Sequence, residues 1–241
     1  MIKHLIRFLV VAASFFALSA SAQSLSFVKY TRLIFDGSQK AISFPIQNDT
    51  NAYYLATGRV RKVQEDLPGD LTPDFIVLPE VLLLKPGEHQ ALRVVRVGGQ
   101  YPSDRESVFF VSGVFVPEKQ SETNASLNVA LEVNVKMFFR PDSLLKKGAI
   151  KHVAEQLIFA LGPKELRVQN PTPYYATFSS LSVNEKAVNR EQLTMMVPPF
   201  GESRYSIKEI GSAKNGVINW SLIDELGNDT ATLVKEVRVE K

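Results

Sequence analysis

SLNVALEVNVKMFFRP, residues 126–141, sets Leu127, Val129, Leu131, Val133 and Val135 on alternating positions. Alternation at a period of two describes a strand with one apolar side. Lys136 then breaks the rhythm and opens an apolar run that ends at Arg140–Pro141. Being even-numbered, Lys136 faces away from the Leu127–Val135 side unless a bulge intervenes. The apolar side has two readings. It is the core face of a half-buried strand, or it is an edge offered to a partner, since exposed apolar edges are normally suppressed. Lys136 likewise either snorkels at a strand end or awaits an external anion. The polar run PEKQSETNA (117–125) ahead of the strand leaves room for a free edge.

Strand signals extend outward in both directions. Runs rich in Val, Ile, Phe and Tyr recur roughly every 8–15 residues, separated by Gly, Pro, Asn and Asp. They include 25–37, 41–48, 52–63, 75–79, 90–97 and 107–117 before the quoted strand. After a connector at 144–156 with room for a short helical turn come 157–162, 165–170, 174–184, 193–200, 203–210, 216–224 and 230–240. Long helical periodicity is missing, so the chain reads as all-β, a sandwich on each side of a boundary near 141–150. The expected domains are 23–143 and 150–241.

Lys3 and Arg7, the apolar Leu9–Leu18 and the small residues Ala20–Ser21–Ala22 form a secretory leader cut after Ala22. The apolar stretch is shorter than the ~20 residues a membrane span needs. Removing the leader takes the net charge from +3 to +1. No polybasic cluster suits nucleic acid. With no Cys and three His, disulfides are excluded and neither a metal site nor a cofactor is expected. His89 and His152 lie near no nucleophile elbow or paired carboxylates, and no Gly-rich phosphate loop occurs, so no catalytic residues are assigned.

Several blocks together resemble the periplasmic pilus chaperones of the chaperone–usher pathway. YPSDRESVFFVSGVFVP (101–117) is similar to that family's signature, departing from it at Ser112 and Gly113. VKMFFRP (135–141), YTRLIFDG (30–37), VQNPTPYYATF (168–178) and MVPPFGES (196–203) resemble four further family blocks. The resemblance implies two immunoglobulin-like β-sandwich domains in a boomerang arrangement with an interdomain cleft. It implies a non-enzymatic periplasmic protein that binds, folds and caps pilus subunits and delivers them to an outer-membrane usher. Arg32 and Lys136 would anchor the C-terminal carboxylate of the subunit. Leu127, Val129, Leu131 and Val133 would donate their strand to a subunit that lacks one, a form of β-strand addition. Glu106, Arg140 and Glu225, with Asp224 adjacent, would form an interdomain ionic network. The short loop before the strand and the absence of Cys point to the subgroup serving rod-like pili with adhesive tips. A free apolar edge also implies a possible self-dimer of the empty chaperone. The competing reading is a secreted immunoglobulin-like adhesin or receptor module, which would need neither the Arg32–Lys136 pair nor a donor edge.

Overall fold

The structure, a computed structural model, describes residues 25–26, 30–118, 129–209 and 214–240. The leader, Leu127 and most of the loop before the quoted strand lie outside the described residues.

Among the described residues, ten strands make the first sandwich: β1 Leu25–Ser26, β2 Arg32–Asp36, β3 Ala41–Asn48, β4 Tyr54–Gln64, β5 Leu67–Leu71, β6 Phe75–Leu78, β7 Leu82–Leu84, β8 His89–Arg96, β9 Ser107–Pro117 and β10 Leu131–Arg140. Eight make the second: β11 Ile158–Leu161, β12 Glu165–Asn170, β13 Ala176–Val183, β14 Lys186–Ala187, β15 Met196–Val197, β16 Gly201–Ser206, β17 Asn215–Leu222 and β18 Leu233–Arg238. The helix α1, Ala149–Gln156, joins them. The fold is thus all-β in two domains, with the connector more helical than its mixed composition suggests. Two expected strands differ. The 25–37 run is split between β1, which pairs β3 in one sheet, and β2, which pairs β10 in the other. In the 193–200 run a 3-10 turn, Gln192–Thr194, takes the start, and the short β15 that follows stops before Pro198 and Pro199, which cannot donate to a ladder.

In the first domain the sheet β1-β3-β8-β6 faces the sheet β2-β10-β9-β4-β5, with β7 also on β4. Phe35, Phe44, Ile46, Leu84, Leu92, Phe115 and Met137 fill the space between. In the second, β11-β12-β16 faces β14-β13-β17-β18 around Leu161, Leu166, Phe178, Tyr205, Ile218 and Trp220. The Trp220 indole N–H donates to Ala154 O at 3.0 Å, fastening α1 to this core. A matched device closes one end of each sandwich. Buried Asn48 donates through Nδ2 to Ala52, Leu84 and Lys85 carbonyls while its Oδ1 accepts from Thr50. Asn170 does the same with Tyr174, Val197 and Pro198 carbonyls and with Thr172. Each asparagine thereby ties together three carbonyls of neighbouring segments through one side chain.

Candidate functional site

β10 places the site. From Leu131 to Phe139 it pairs antiparallel with β9. On its other side it pairs parallel with β2, but only from Lys136 (opposite Arg32) to Arg140 (opposite Asp36). Among the described residues the other edge of 131–135 therefore has no ladder partner, and this open edge ends beside two cations.

The side chains change environment along the strand. Val135, Met137 and Phe139 are buried in the first core, and Val133 is half-buried against it. Val129 and Leu131 on the same side are 63% and 43% exposed. The strand's apolar side thus serves its own core at one end and runs past the rim of the sandwich at the other. Of the described residues expected to be donated, Val133 is the one packed partly against the chain's own core. Alternation is identical on both sides of that rim, so the pattern alone does not locate it.

From Lys136 on, even-numbered residues meet the second domain. Lys136 Nζ donates to Thr194 O at 2.8 Å. Burial pulls this ammonium down to about 8, partly opposed by Asp66 and reinforced by the charge of Arg32. Arg32 is buried; its Nη1 donates to Ile223 O at 2.9 Å and its guanidinium lies 5.2 Å from the Phe138 ring centre. Burial lowers Arg32 to about 10, against the pull of Glu106, Asp224 and Glu225. Its Nε is buried without a hydrogen-bond partner. Two desolvated cations thus stand side by side, one with an unused donor, an electrostatically costly arrangement. Behind Arg32 a crevice of about 520 Å³ opens between β2, Lys146–Gly148 and Asp224–Leu226.

Below the cations lies a buried ionic knot. Arg140 Nε donates to Glu106 Oε1 at 2.8 Å, Nη2 lies 2.8 Å from the same oxygen, and Nη1 donates to Glu225 Oε1 at 3.3 Å. Glu106 Oε2 accepts from Tyr175 N at 2.8 Å, and Glu106 N donates to Pro173 O at 2.9 Å. Burial pushes the Glu106 carboxyl up, against Arg140 and the Tyr175 N–H. Arg140 also sits over the Tyr174 ring. Asp224 is turned to its own loop, accepting from Leu226 N and Asn228 N. Asp66 and Thr194 escape a sequence reading: they meet the cleft across the domain boundary, and no local pattern marks them.

Two sandwiches locked over an ionic knot, with a strand emerging half-paired, define a two-domain all-β chaperone fold. Comparison with known proteins is more specific. The family model "Pili and flagellar-assembly chaperone, PapD N-terminal domain" matches residues 27–145, and "Pili assembly chaperone PapD, C-terminal domain" matches 152–233. The probable fimbrial chaperone LpfB of Escherichia coli O157:H7 is 29% identical over 234 residues, covering 96% of this chain and 97% of that one. The chaperone PapD of Escherichia coli is 30% identical over 200 residues, covering 81% and 82%. The Salmonella enterica SafA pilin–SafB chaperone complex contains a chain with TM-score 0.75 and 26% identity, covering 91% and 99%. The chain belongs to the pilus-assembly chaperones of the chaperone–usher pathway.

Proposed function

We propose that this chaperone captures pilus subunits by strand addition along the open edge of β10, with the C-terminal carboxylate of the subunit held by Arg32 and Lys136. The observation that carries this reading is the open edge itself, which stops where those cations stand side by side. A strand filling the vacant line ahead of β2 would run parallel to β10, as β2 does, and so end with its carboxylate at Arg32. Leu131, Val129 and Leu127 would enter the subunit's groove, each contributing up to about 1.5–3 kcal/mol before ordering costs. Val133 would stay in the chaperone's own core. Slipping the register by one residue would present Asn128, Ala130 and Glu132 instead, and a carboxylate in an apolar groove is costly.

In this reading the chain acts without catalysis or cofactor. It works in the periplasm after its leader is removed behind Ala22, and passes subunits to an outer-membrane usher. Its domains span 23–143 and 150–241, with the ionic knot of Glu106, Arg140 and Glu225 holding the cleft's shape. Folding energy withheld in the capped subunit would be released when another subunit's strand replaces the chaperone's.

The test is periplasmic co-expression with the pilus subunit encoded beside it. A soluble one-to-one complex is expected when the subunit ends at its native carboxylate, and none when that end is extended by several residues. Equal recovery of both would refute the anchor. Capture also carries a pH limit. The carboxylate binds the ammonium form of Lys136, present below about 8 in the free chain. Above that, binding must take up a proton, and affinity falls by up to about tenfold per pH unit. Titration calorimetry across pH 6–10 checks the sign; a flat profile contradicts it.

Without a subunit, the exposed Val129 and Leu131 favour pairing of two copies through the same edge. Sedimentation should show dimers growing with concentration and disappearing once a subunit is bound. A monomer throughout would count against this pairing.

A further inference from the structure

The β4–β5 hairpin closes on Glu65 and Asp66, whose φ angles are 50° and 62°. Such turns are most readily made with glycine at the second position, where left-handed backbone carries no steric cost. Asp66 occupies that position here. A side chain kept in a strained place points to a task for it, and the structure supplies one. Asp66 Oδ1 accepts a hydrogen bond from Met196 N at 3.3 Å, across the domain boundary. Two residues earlier, Thr194 O accepts from the Lys136 ammonium. The first domain therefore grips the segment Thr194–Met196 at both ends. Thr194 also ends a 3-10 turn, and its hydroxyl donates to Glu191 O, so its carbonyl direction is set locally as well.

Asp66 acts in the cleft by charge too. It favours the charged form of Lys136, against burial and Arg32. It also raises the hydroxyls of Tyr175 and Tyr205, both of which burial raises first. The groups that act on Lys136 are thus Arg32 from β2, Asp66 from the hairpin tip, and the Thr194 carbonyl from the second domain. Along the same sheet face, Arg61 of β4 lies 3.7 Å from Glu132 of β10.

We propose that Asp66 is a positioning residue of the carboxylate anchor: it holds the Thr194–Met196 segment that orients Lys136, and it places a resident negative charge near Lys136. This rests on the reading of Arg32 and Lys136 as the anchor. The carboxylate of an arriving subunit then shares Lys136 with Asp66, so the hairpin tip sets both the strength of capture and its pH range. Subunits that place a cation or a hydrogen-bond donor near their C-terminal end would gain a partner in Asp66.

Two variants separate grip from charge. Asp66→Asn keeps an oxygen that accepts from Met196 N but loses the charge; Asp66→Ala loses both. The free chain is labelled at lysine side chains, Lys136 is assigned through Lys136→Met, and its titration is followed by NMR with amide exchange at Met196. In Asp66→Asn the Lys136 midpoint should fall from about 8 by at least half a pH unit, with Met196 protection retained. In Asp66→Ala the midpoint should fall and Met196 should exchange at least tenfold faster. With subunit present, the Asp66→Asn pH limit for capture should drop by the same amount, while binding at pH 6 is at least as tight as wild type. An unchanged midpoint in Asp66→Asn, or unchanged Met196 exchange in Asp66→Ala, would reduce Asp66 to a turn residue. The free-chain titration needs no subunit. Its failure is therefore distinct from failure of the anchor, which would appear as wild-type binding indifferent to the subunit's carboxylate.

Discussion

Lys136→Met is expected to abolish recovery of the complex with the subunit while leaving the free chain at least as stable as wild type. A charge-assisted hydrogen bond to a carboxylate contributes roughly 1.5–3 kcal/mol, so its loss weakens capture from about tenfold to beyond a hundredfold. Register control goes with it, because nothing then marks where the bound strand must stop. Stability moves the other way. In the empty cleft the ammonium is half-buried beside Arg32, held by one backbone carbonyl. Replacing it with a thioether of similar length removes a desolvated charge, a gain on the order of 1 kcal/mol. The sign follows from linkage. The folded-state value, about 8, lies below the ordinary 10.5, so between those limits the unfolded chain holds more protons and wild-type stability rises with pH. That slope should vanish in Lys136→Met. Arg32→Met should lose the subunit as completely but cost stability, since Arg32 is buried, packs on Phe138 and donates to Ile223 O. Periplasmic co-purification with denaturant unfolding at pH 7 and 9.5 measures all of this. Retention of the subunit by both variants would return β10 to an ordinary sandwich strand.

Of the two cations, Lys136 stood out from the residues themselves, whereas Arg32 was marked only by the family resemblance. Lys136 interrupts an apolar parity, and the strand geometry alone turns it away from the core that Val135 and Met137 enter. The rim of the sandwich was not legible. Val133 and Leu131 carry the same pattern, yet Val133 packs against the core while Leu131 is exposed. The strand's start was read at Leu127, whereas the described strand begins at Leu131. The meeting of Asp66 with Met196 was hidden for a different reason. It joins residues 130 apart through a single side chain, with no periodicity to announce it. The 3-10 turn that presents Thr194 was likewise concealed by the mostly apolar run Leu193 to Val197, which reads as a strand.

Arg140→Ala is expected to be the most destabilising single change in the molecule's polar interior. It strips Glu106 of its counter-ion while Glu106 stays 3% exposed, with the Tyr175 N–H still donating to its other oxygen. Breaking one side of a buried pair typically costs roughly 3–5 kcal/mol, because the remaining charge is left uncompensated. The loss should fall on both domains at once. Arg140 ends β10 of the first, whereas Tyr175 and Glu225 belong to the second. Adding Glu106→Gln to Arg140→Ala removes the stranded charge and should recover a good part of the loss. Neutral side chains, however, cannot restore the reach to Glu225. Urea unfolding of the three proteins gives the ordering wild type, double variant, Arg140→Ala. A loss below about 1 kcal/mol in Arg140→Ala would mean that water reaches Glu106 and the knot is a solvated surface pair. The functional consequence separates knot from anchor. The double variant keeps Arg32, Lys136 and the open edge, so any fall in capture at equal folded population measures how far the cleft depends on a fixed angle between the domains. Full capture by the double variant would show that the knot serves stability alone.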